Sequence, residues 1–251
     1  DILEDLKIHV EFSGNEACAA AMLGASINYP IRGAAAFKST VGTNVASDAL
    51  SNLASAGVTG GTVLILGEDY GEGSAIIQER TYAYATKSQV WLLDPRPNLE
   101  SIVETVEAAF ELSEASNTPV MLQLRIRACH VTGSFRTKDN RPGKADPAAW
   151  NTPPQFDFSK VCLPPSTITQ EIDKIERRLP AAKAFVRDRG LNEVFPGDLD
   201  DVGIITLGGH YNGVVRALQL LGLADPFGAV RVPIYAMNVA YPLVEDEITA
   251  F

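Results

Sequence analysis

Basic residues are scarce in this chain. Its 251 residues include 21 Lys and Arg against 31 Asp and Glu, a formal charge of −10. That balance excludes the clustered cations that hold nucleic acid and the polybasic patch that holds an anionic membrane. Cysteines are few as well. Cys18, Cys129 and Cys162 lie far apart and form no Cys-x-x-Cys pair. A disulfide framework and a zinc site are therefore excluded, and three scattered thiols cannot ligate a 4Fe–4S cluster. A reducing, cytoplasmic setting is the expectation. No apolar run nears the roughly 20 residues of a membrane span. The first residues do not read as a signal peptide, and an opening at Asp1 suggests an excerpt of a longer polypeptide. A Ser-His-Asp order, an HExxH helix, a P-loop and a fixed-period repeat are all absent.

What is present alternates between strand and helix. "KIHVEF" (7–12) predicts a short strand, and "SGNE" a turn leading into a helix over 15–27. "RGAAAF" (32–37) predicts a second strand. "TNVASDALSNLASAG" (43–57) predicts a helix stopped by Gly57. "GGTVLILGEDYGEG" (60–73) is a buried strand entering an acidic, glycine-rich loop. In "PNLESIVETVEAAFELSEAS" (97–116), Leu99, Ile102, Val103, Val106 and Phe110 recur at helical spacing behind a capping Asn98. "TPVMLQLRIRA" (118–128) is the next strand. From Val131 to Ser166 the chain is rich in Pro and Gly and has no period, which reads as a linker or arm. A helix over 168–190 follows, with Ile168, Ile172, Ile175 and Leu179 on one face and Pro180 as a kink or a break. Strand, glycine turn and helix over 201–223 and a strand over 230–238 complete a second unit. The pattern predicts an α/β fold with a largely parallel sheet and helices on both faces.

Several residues are chemically suggestive. Glu16 opens a helix built of small residues, "EACAAAMLGAS". Taken alone, it reads as an acid meeting the positive end of the helix dipole, worth about 0.3–1 kcal/mol. Glu68 and Asp69 follow a buried strand, where parallel sheets bind ligands, but solvated loop acids are the slightly favoured reading. His210 in "GGHYNG" reads as a loop histidine. His130 closes a strand and is divided evenly between a site and a structural hydrogen bond.

Four blocks in order, "EFSGNEACAAAMLGAS", "FKSTVGTNVASDAL", "AGVTGGTVLILGEDYGEGS" and "AAFELSEASNTPVMLQLRIRACH", resemble the α subunit of the indolepyruvate:ferredoxin oxidoreductases. These are thiamine-diphosphate-dependent 2-oxoacid:ferredoxin oxidoreductases. The resemblance covers about the first 130 residues and resumes at "RRLPAAKAFVRDRGLNEV" and "GIITLGGHYNGVVRAL". It implies a thiamine-diphosphate-binding fold: a pyrimidine-binding domain over 1–133, an arm over 134–167 and a transketolase C-terminal-like domain over 168–251. It implies that Glu16 hydrogen-bonds N1′ of the cofactor's aminopyrimidine, favouring the tautomer that takes the C2 proton. It places Asn44 beside the cofactor, and Lys38, Ser74 and His130 beside the substrate. The expected reaction is oxidative decarboxylation of an aryl 2-oxoacid to an acyl-CoA, with electrons passing to ferredoxin.

The sequence also departs from the family. "EDYGEGSAIIQER" stands where the family reads Asp-Asp-Pro-Gly, then His and Ser; Gly71 and Ser74 keep their places, while Tyr70 and Gly73 do not. The Gly-Asp-Gly…Asn motif that binds diphosphate and Mg²⁺ is missing, as are the cysteine clusters of 4Fe–4S sites. The expectation is half a thiamine site, completed by a diphosphate-binding domain or subunit within an oligomer, and weak cofactor binding by the chain alone. Two rivals stand beside this reading: a subunit resembling the β chain of 2-oxoacid dehydrogenases, and a degenerate subunit that only assembles or regulates a partner.

Overall fold

The apolar runs become parallel strands. In a computed structural model, which describes residues 2–69, 78, 80–139 and 157–251, the strands are β1 (Gly33–Lys38), β2 (Thr62–Glu68), β3 (Trp91–Leu93), β4 (Val120–Arg125), β5 (Glu193–Phe195), β6 (Ile204–Leu207), β7 (Ile234–Met237) and β8 (Val239–Tyr241). Five form one sheet in the order β1-β2-β4-β3-β8 and three form another in the order β5-β7-β6. Strands β1 to β4 are mutually parallel, and β8 joins β3 antiparallel. Val63, Leu64, Leu66, Leu93, Val120, Met121 and Leu122 are fully buried. Each such side chain contributes about 1.5–3 kcal/mol. Residues on both strand faces are apolar because helices cover both sides.

The helices are α1 (Ile2–Asp5), α2 (Glu16–Met22), α3 (Ala25–Asn28), α4 (Ser39–Val45), α5 (Ser47–Ala56), α6 (Thr81–Ser88), α7 (Leu99–Ser116), α8 (Ile126–Cys129), α9 (Ser166–Asp173), α10 (Leu179–Arg189), α11 (Tyr211–Leu220) and α12 (Glu245–Ala250). Asn98 caps α7 by accepting from the Ser101 amide at 2.8 Å, and α5 ends at Gly57 with φ +71°, as the sequence predicts. The helix expected over 15–27 is instead two, α2 and α3, divided at Leu23 and Gly24.

One expectation needs correction. Residues 7–12 form no strand; Ile8, Val10 and Phe12 are 50%, 58% and 102% exposed. Their alternation suits a sheet, but among the described residues no strand pairs with them. In the 168–190 helix, the isoleucines that share one face are turned outward: Ile168, Ile172 and Ile175 are 65%, 48% and 59% exposed. Gln170, Lys174 and Arg178 are buried in its place. The irregularity that Pro180 suggests is present in that helix. A π turn, Lys174–Arg178, joins α9 to α10 just before Pro180. Proline has no N–H and crowds the carbonyl four residues back, so the register changes there.

The polar face of α9 and the π turn is satisfied by the helix beneath it. Arg178 donates to the carbonyls of Ala54 at 3.0 Å, Ser55 at 3.2 Å and Ala56 at 3.4 Å, and to Asp173 at 2.6 Å. A guanidinium thus serves the orphan carbonyls at the C-terminus of α5. Gln170 accepts from Ser55 at 2.6 Å. Further along, Ala182 and Val186 enter the same apolar cluster as Ala109, Leu112 and Leu122. Segments on both sides of 134–167 therefore build the core around the first sheet.

Candidate functional site

Helix α2 starts where the sequence predicts. Asn15 caps it by accepting from the Cys18 amide at 2.9 Å, which leaves Glu16 as its first residue, half-buried. Only small side chains follow until Met22, so a neighbouring helix can approach closely. That neighbour is α4. A Cβ added to Gly42 would lie 3.1 Å from Glu16 Cγ and would also strike the Phe37 ring. Gly42 is therefore pressed chiefly onto the Phe37 ring, with Glu16 beside it.

Helix α4 is built against the usual pattern. Its buried residues are Ser39, Thr40, Gly42 and Thr43, none of them large and apolar. Val41 and Val45 are 51% and 46% exposed. Asn44 is exposed at the end of the same helix, and Lys38, also exposed, ends β1 immediately before it. Exposed Phe12 and Met22 precede and end the neighbouring helix α2. Polar residues inside and apolar residues outside mark a functional or interacting face rather than a folding one.

Beneath α4, charges alternate along the carboxyl ends of the strands. Lys38 on β1 pairs with Asp69 after β2 at 2.8 Å. Arg125 on β4 pairs with Asp94 after β3 at 2.7 Å. Burial pushes the Asp94 carboxyl up, and Arg125 holds it back. Between these pairs sits Glu68, 3% exposed and level in the ladder with Arg125. The Thr81 hydroxyl donates to Glu68 Oε2, while Oε1 has no hydrogen-bond partner. Burial pushes the Glu68 carboxyl above the ordinary range; the hydroxyls of Thr81 and Ser39 and the charge of Arg125 oppose this.

The structure thus brings Glu16, Asn44 and Lys38 onto α2, α4 and the end of β1, with α4 touching Glu16. His130 is exposed after α8, which follows the carboxyl end of β4, and no hydrogen bond among the described residues joins it to Glu16. Ser74, with Tyr70, Gly71 and Gly73, lies outside the described residues. His210 is exposed just before α11; burial and Arg125 push its imidazole down, and Asp94 opposes. The adjoining Gly208 and Gly209 are pressed onto Asp94, Asn238 and Arg125, so no side chain fits there. Sequence reasoning undervalued Glu68, which is buried rather than solvated. Its signal was present: an acid that is the last residue of a fully apolar strand. Among the described residues, no three His, Cys, Asp or Glu side chains come together as a metal site, and no helix is long and apolar enough to cross a membrane.

No protein-family model matches the chain. Curated relatives do. The indolepyruvate oxidoreductase subunit IorA of Methanothermobacter marburgensis is 31% identical over 245 residues, covering 97% of this chain and 37% of that protein. The protein of the same name from Thermococcus kodakarensis is 29% identical over 229 residues, covering 87% and 33%. The chain therefore spans well under half the length of the relatives it matches. Among solved structures, the 2-oxoglutarate:ferredoxin oxidoreductase from Magnetococcus marinus, determined with 2-oxoglutarate, coenzyme A and succinyl-CoA bound, superposes with a TM-score of 0.65 at 16% identity. That match covers 99% of this chain and 49% of the other, so the fold is the thiamine-diphosphate-binding α/β fold of that enzyme class. The ordered sequence blocks, the fold and the relatives agree: over nearly its whole length this chain is similar to part of indolepyruvate oxidoreductase subunit IorA.

Proposed function

We propose that this chain is the pyrimidine-side module of a thiamine-diphosphate-dependent 2-oxoacid:ferredoxin oxidoreductase acting on an aryl 2-oxoacid such as indolepyruvate. The observation that carries this reading is Glu16, half-buried on a capped helix against Gly42, beside a helix whose apolar residues face outward. The relatives' name and the neighbour's fold support it. The residues present fit a flat heterocycle: a carboxylate held in place by a cap, small side chains around it, and an open apolar rim. When bound, the cofactor supplies the carbanion chemistry and the electron sink of decarboxylation. Glu16 would bind it by holding a proton at N1′ of its aminopyrimidine. Asn44 would orient the ring, and Lys38, steadied by Asp69, would offer a cation to the 2-oxoacid carboxylate. Ser74 and His130 complete the proposed substrate side.

The diphosphate and its Mg²⁺ are assigned to a partner domain or subunit that covers Phe12, Met22, Val41 and Val45. Ferredoxin and CoA would meet the assembled enzyme, whose 4Fe–4S clusters lie outside this chain. Its division into a pyrimidine module over 1–133, an arm over 134–167 and a transketolase C-terminal-like module over 168–251 is part of the same proposal.

The test is 2-oxoacid-dependent dye reduction by the intact complex, with thiamine diphosphate, Mg²⁺ and CoA. Glu16→Gln is expected to lower kcat by about 10²-fold or more with the fold retained, and indolepyruvate to exceed pyruvate as substrate. Equal rates in the two proteins would reduce Glu16 to a helix-end acid.

A further inference from the structure

Helix α9 and the π turn after it are built inside out. Their buried side chains, Gln170, Lys174 and Arg178, are polar, and each is engaged. Gln170 accepts from Ser55 on α5 and donates to the carbonyls of Ser159 at 2.7 Å and Val161 at 3.1 Å. Lys174 pairs with Glu171 at 2.6 Å, and Arg178 closes the end of α5. These bonds set which way the helix is turned. Ile168, Ile172 and Ile175, at i, i+4 and i+7, are left together on the solvent side. Three large apolar side chains in one exposed stripe are the mark of a surface that meets something.

The charges beside the stripe say what it fits. Glu171 lies three residues after Ile168 and Glu176 four after Ile172, so both exposed acids border the isoleucines. The exposed cation that follows, Arg177, is held by both oxygens of Asp173, at 2.5 and 2.8 Å. A second copy of the chain laid on this stripe would set the glutamates against their own counterparts, and like charges repel. A helix whose apolar stripe is bordered by Lys or Arg meets both features: its apolar side chains receive the isoleucines and its cations face the glutamates. There is polypeptide to supply one. The matched region is 37% of the Methanothermobacter marburgensis protein, so most of that protein's length has no counterpart in this chain.

We propose that the Ile168, Ile172 and Ile175 face is a docking surface for a basic-flanked amphipathic helix of the polypeptide that completes the enzyme. It lies on a different helix from the outward valines of α4, so the assembly holds this chain at two places. The proposal deepens the function given above and rests on it only for the identity of the assembly.

The intact complex, diluted through its dissociation range and followed by mass photometry, tests this. Ile172→Asp is expected to weaken assembly by about tenfold or more. Glu176→Lys is expected to weaken it about threefold, less so as salt rises. Ile172→Leu should assemble as the wild type does, and the Tm of the purified chain should be the same in all three variants. Amide exchange over 166–178 should be slower in the complex than in the purified chain. A photoreactive side chain at position 169 should crosslink to a segment with apolar residues at helical spacing and Lys or Arg beside them. Wild-type assembly by Ile172→Asp, equal exchange in complex and chain, or a crosslink only to a second copy of the chain would overturn the proposal. A complex that shows the Ile172 effect but oxidises no 2-oxoacid would instead overturn the function proposed above and leave the docking surface standing.

Discussion

Helices α7 and α4 pack on the same strand, β2, and are built on opposite plans. In α7, Ala108, Ala109 and Leu112 are buried and the glutamates of its outer face meet solvent or surface cations, Arg32, Lys138 and Arg189 among them. In α4, Ser, Thr and Gly are buried and two valines face outward. Helix α7 is held by burial of apolar area, so it needs nothing outside this chain. Helix α4 is held by close backbone approach and by polar contacts, and its apolar side still waits for something to cover it. The difference separates a helix held by its own core from one that fits the proposed site, on physical grounds that owe nothing to the relatives.

Substitutions can break or sharpen this contrast. The largest loss is expected at the scaffold helix: Leu112→Ala should cost about 2–5 kcal/mol by denaturant unfolding, because the residue is fully buried in a close-packed cluster. Arg178→Ala should cost about 3 kcal/mol by the same measurement, since it strands the last carbonyls of α5 and Asp173 together. A Tm equal to wild type would show that water serves these groups as well as the guanidinium does. Gly42→Ala should cost about 1–3 kcal/mol through overpacking against Phe37, and should weaken thiamine diphosphate binding by the complex more than it lowers Tm suggests.

Smaller effects are expected from charge and surface. Glu68 has its carboxyl pushed up by burial. Its contribution to stability is therefore full below the unfolded value, about 4.3, and is lost as pH rises through the folded one. Glu68→Gln should stabilise the chain at neutral pH and lose that advantage in acid. Last, Val41→Ser should change the stability of the chain by less than about 0.5 kcal/mol, yet impair assembly with the proposed diphosphate-binding partner. An assembly as tight as that of the wild type would mean that the outward valines cover nothing.

The same contrast explains what could be read from the sequence. Helix α7 was legible because its cap, its period and its burial agree, although the buried stripe centres on Ala108, Ala109 and Leu112 and leaves Val103 43% exposed. The parallel strands were legible as continuous apolar runs. Ile168, Ile172 and Ile175 could be placed on one face, but periodicity names a face without saying which way it points. Their outward turn depends on Arg178 and Gln170 finding α5, a contact more than 100 residues away along the chain. The "KIHVEF" alternation was right for a strand and wrong for this chain, which holds no edge beside it. At the site, Glu16 was found through resemblance and its cap. Glu68 was overlooked because its burial follows from where α4 and α6 begin, which local sequence does not state.

The grip of Arg178 on α5 has a consequence for how the polypeptide can be divided. A side chain from beyond the Pro- and Gly-rich arm closes a helix that precedes it, and β8 pairs with β3 across the same gap. The knitting is noncovalent and extends over both sheet and helix. Cleaved within 134–167, the two fragments are expected to reassociate by complementation and copurify as one particle. The connection between them then acts as a tether that raises local concentration, and the chain's identity as a single polypeptide becomes a matter of genetics more than of mechanics.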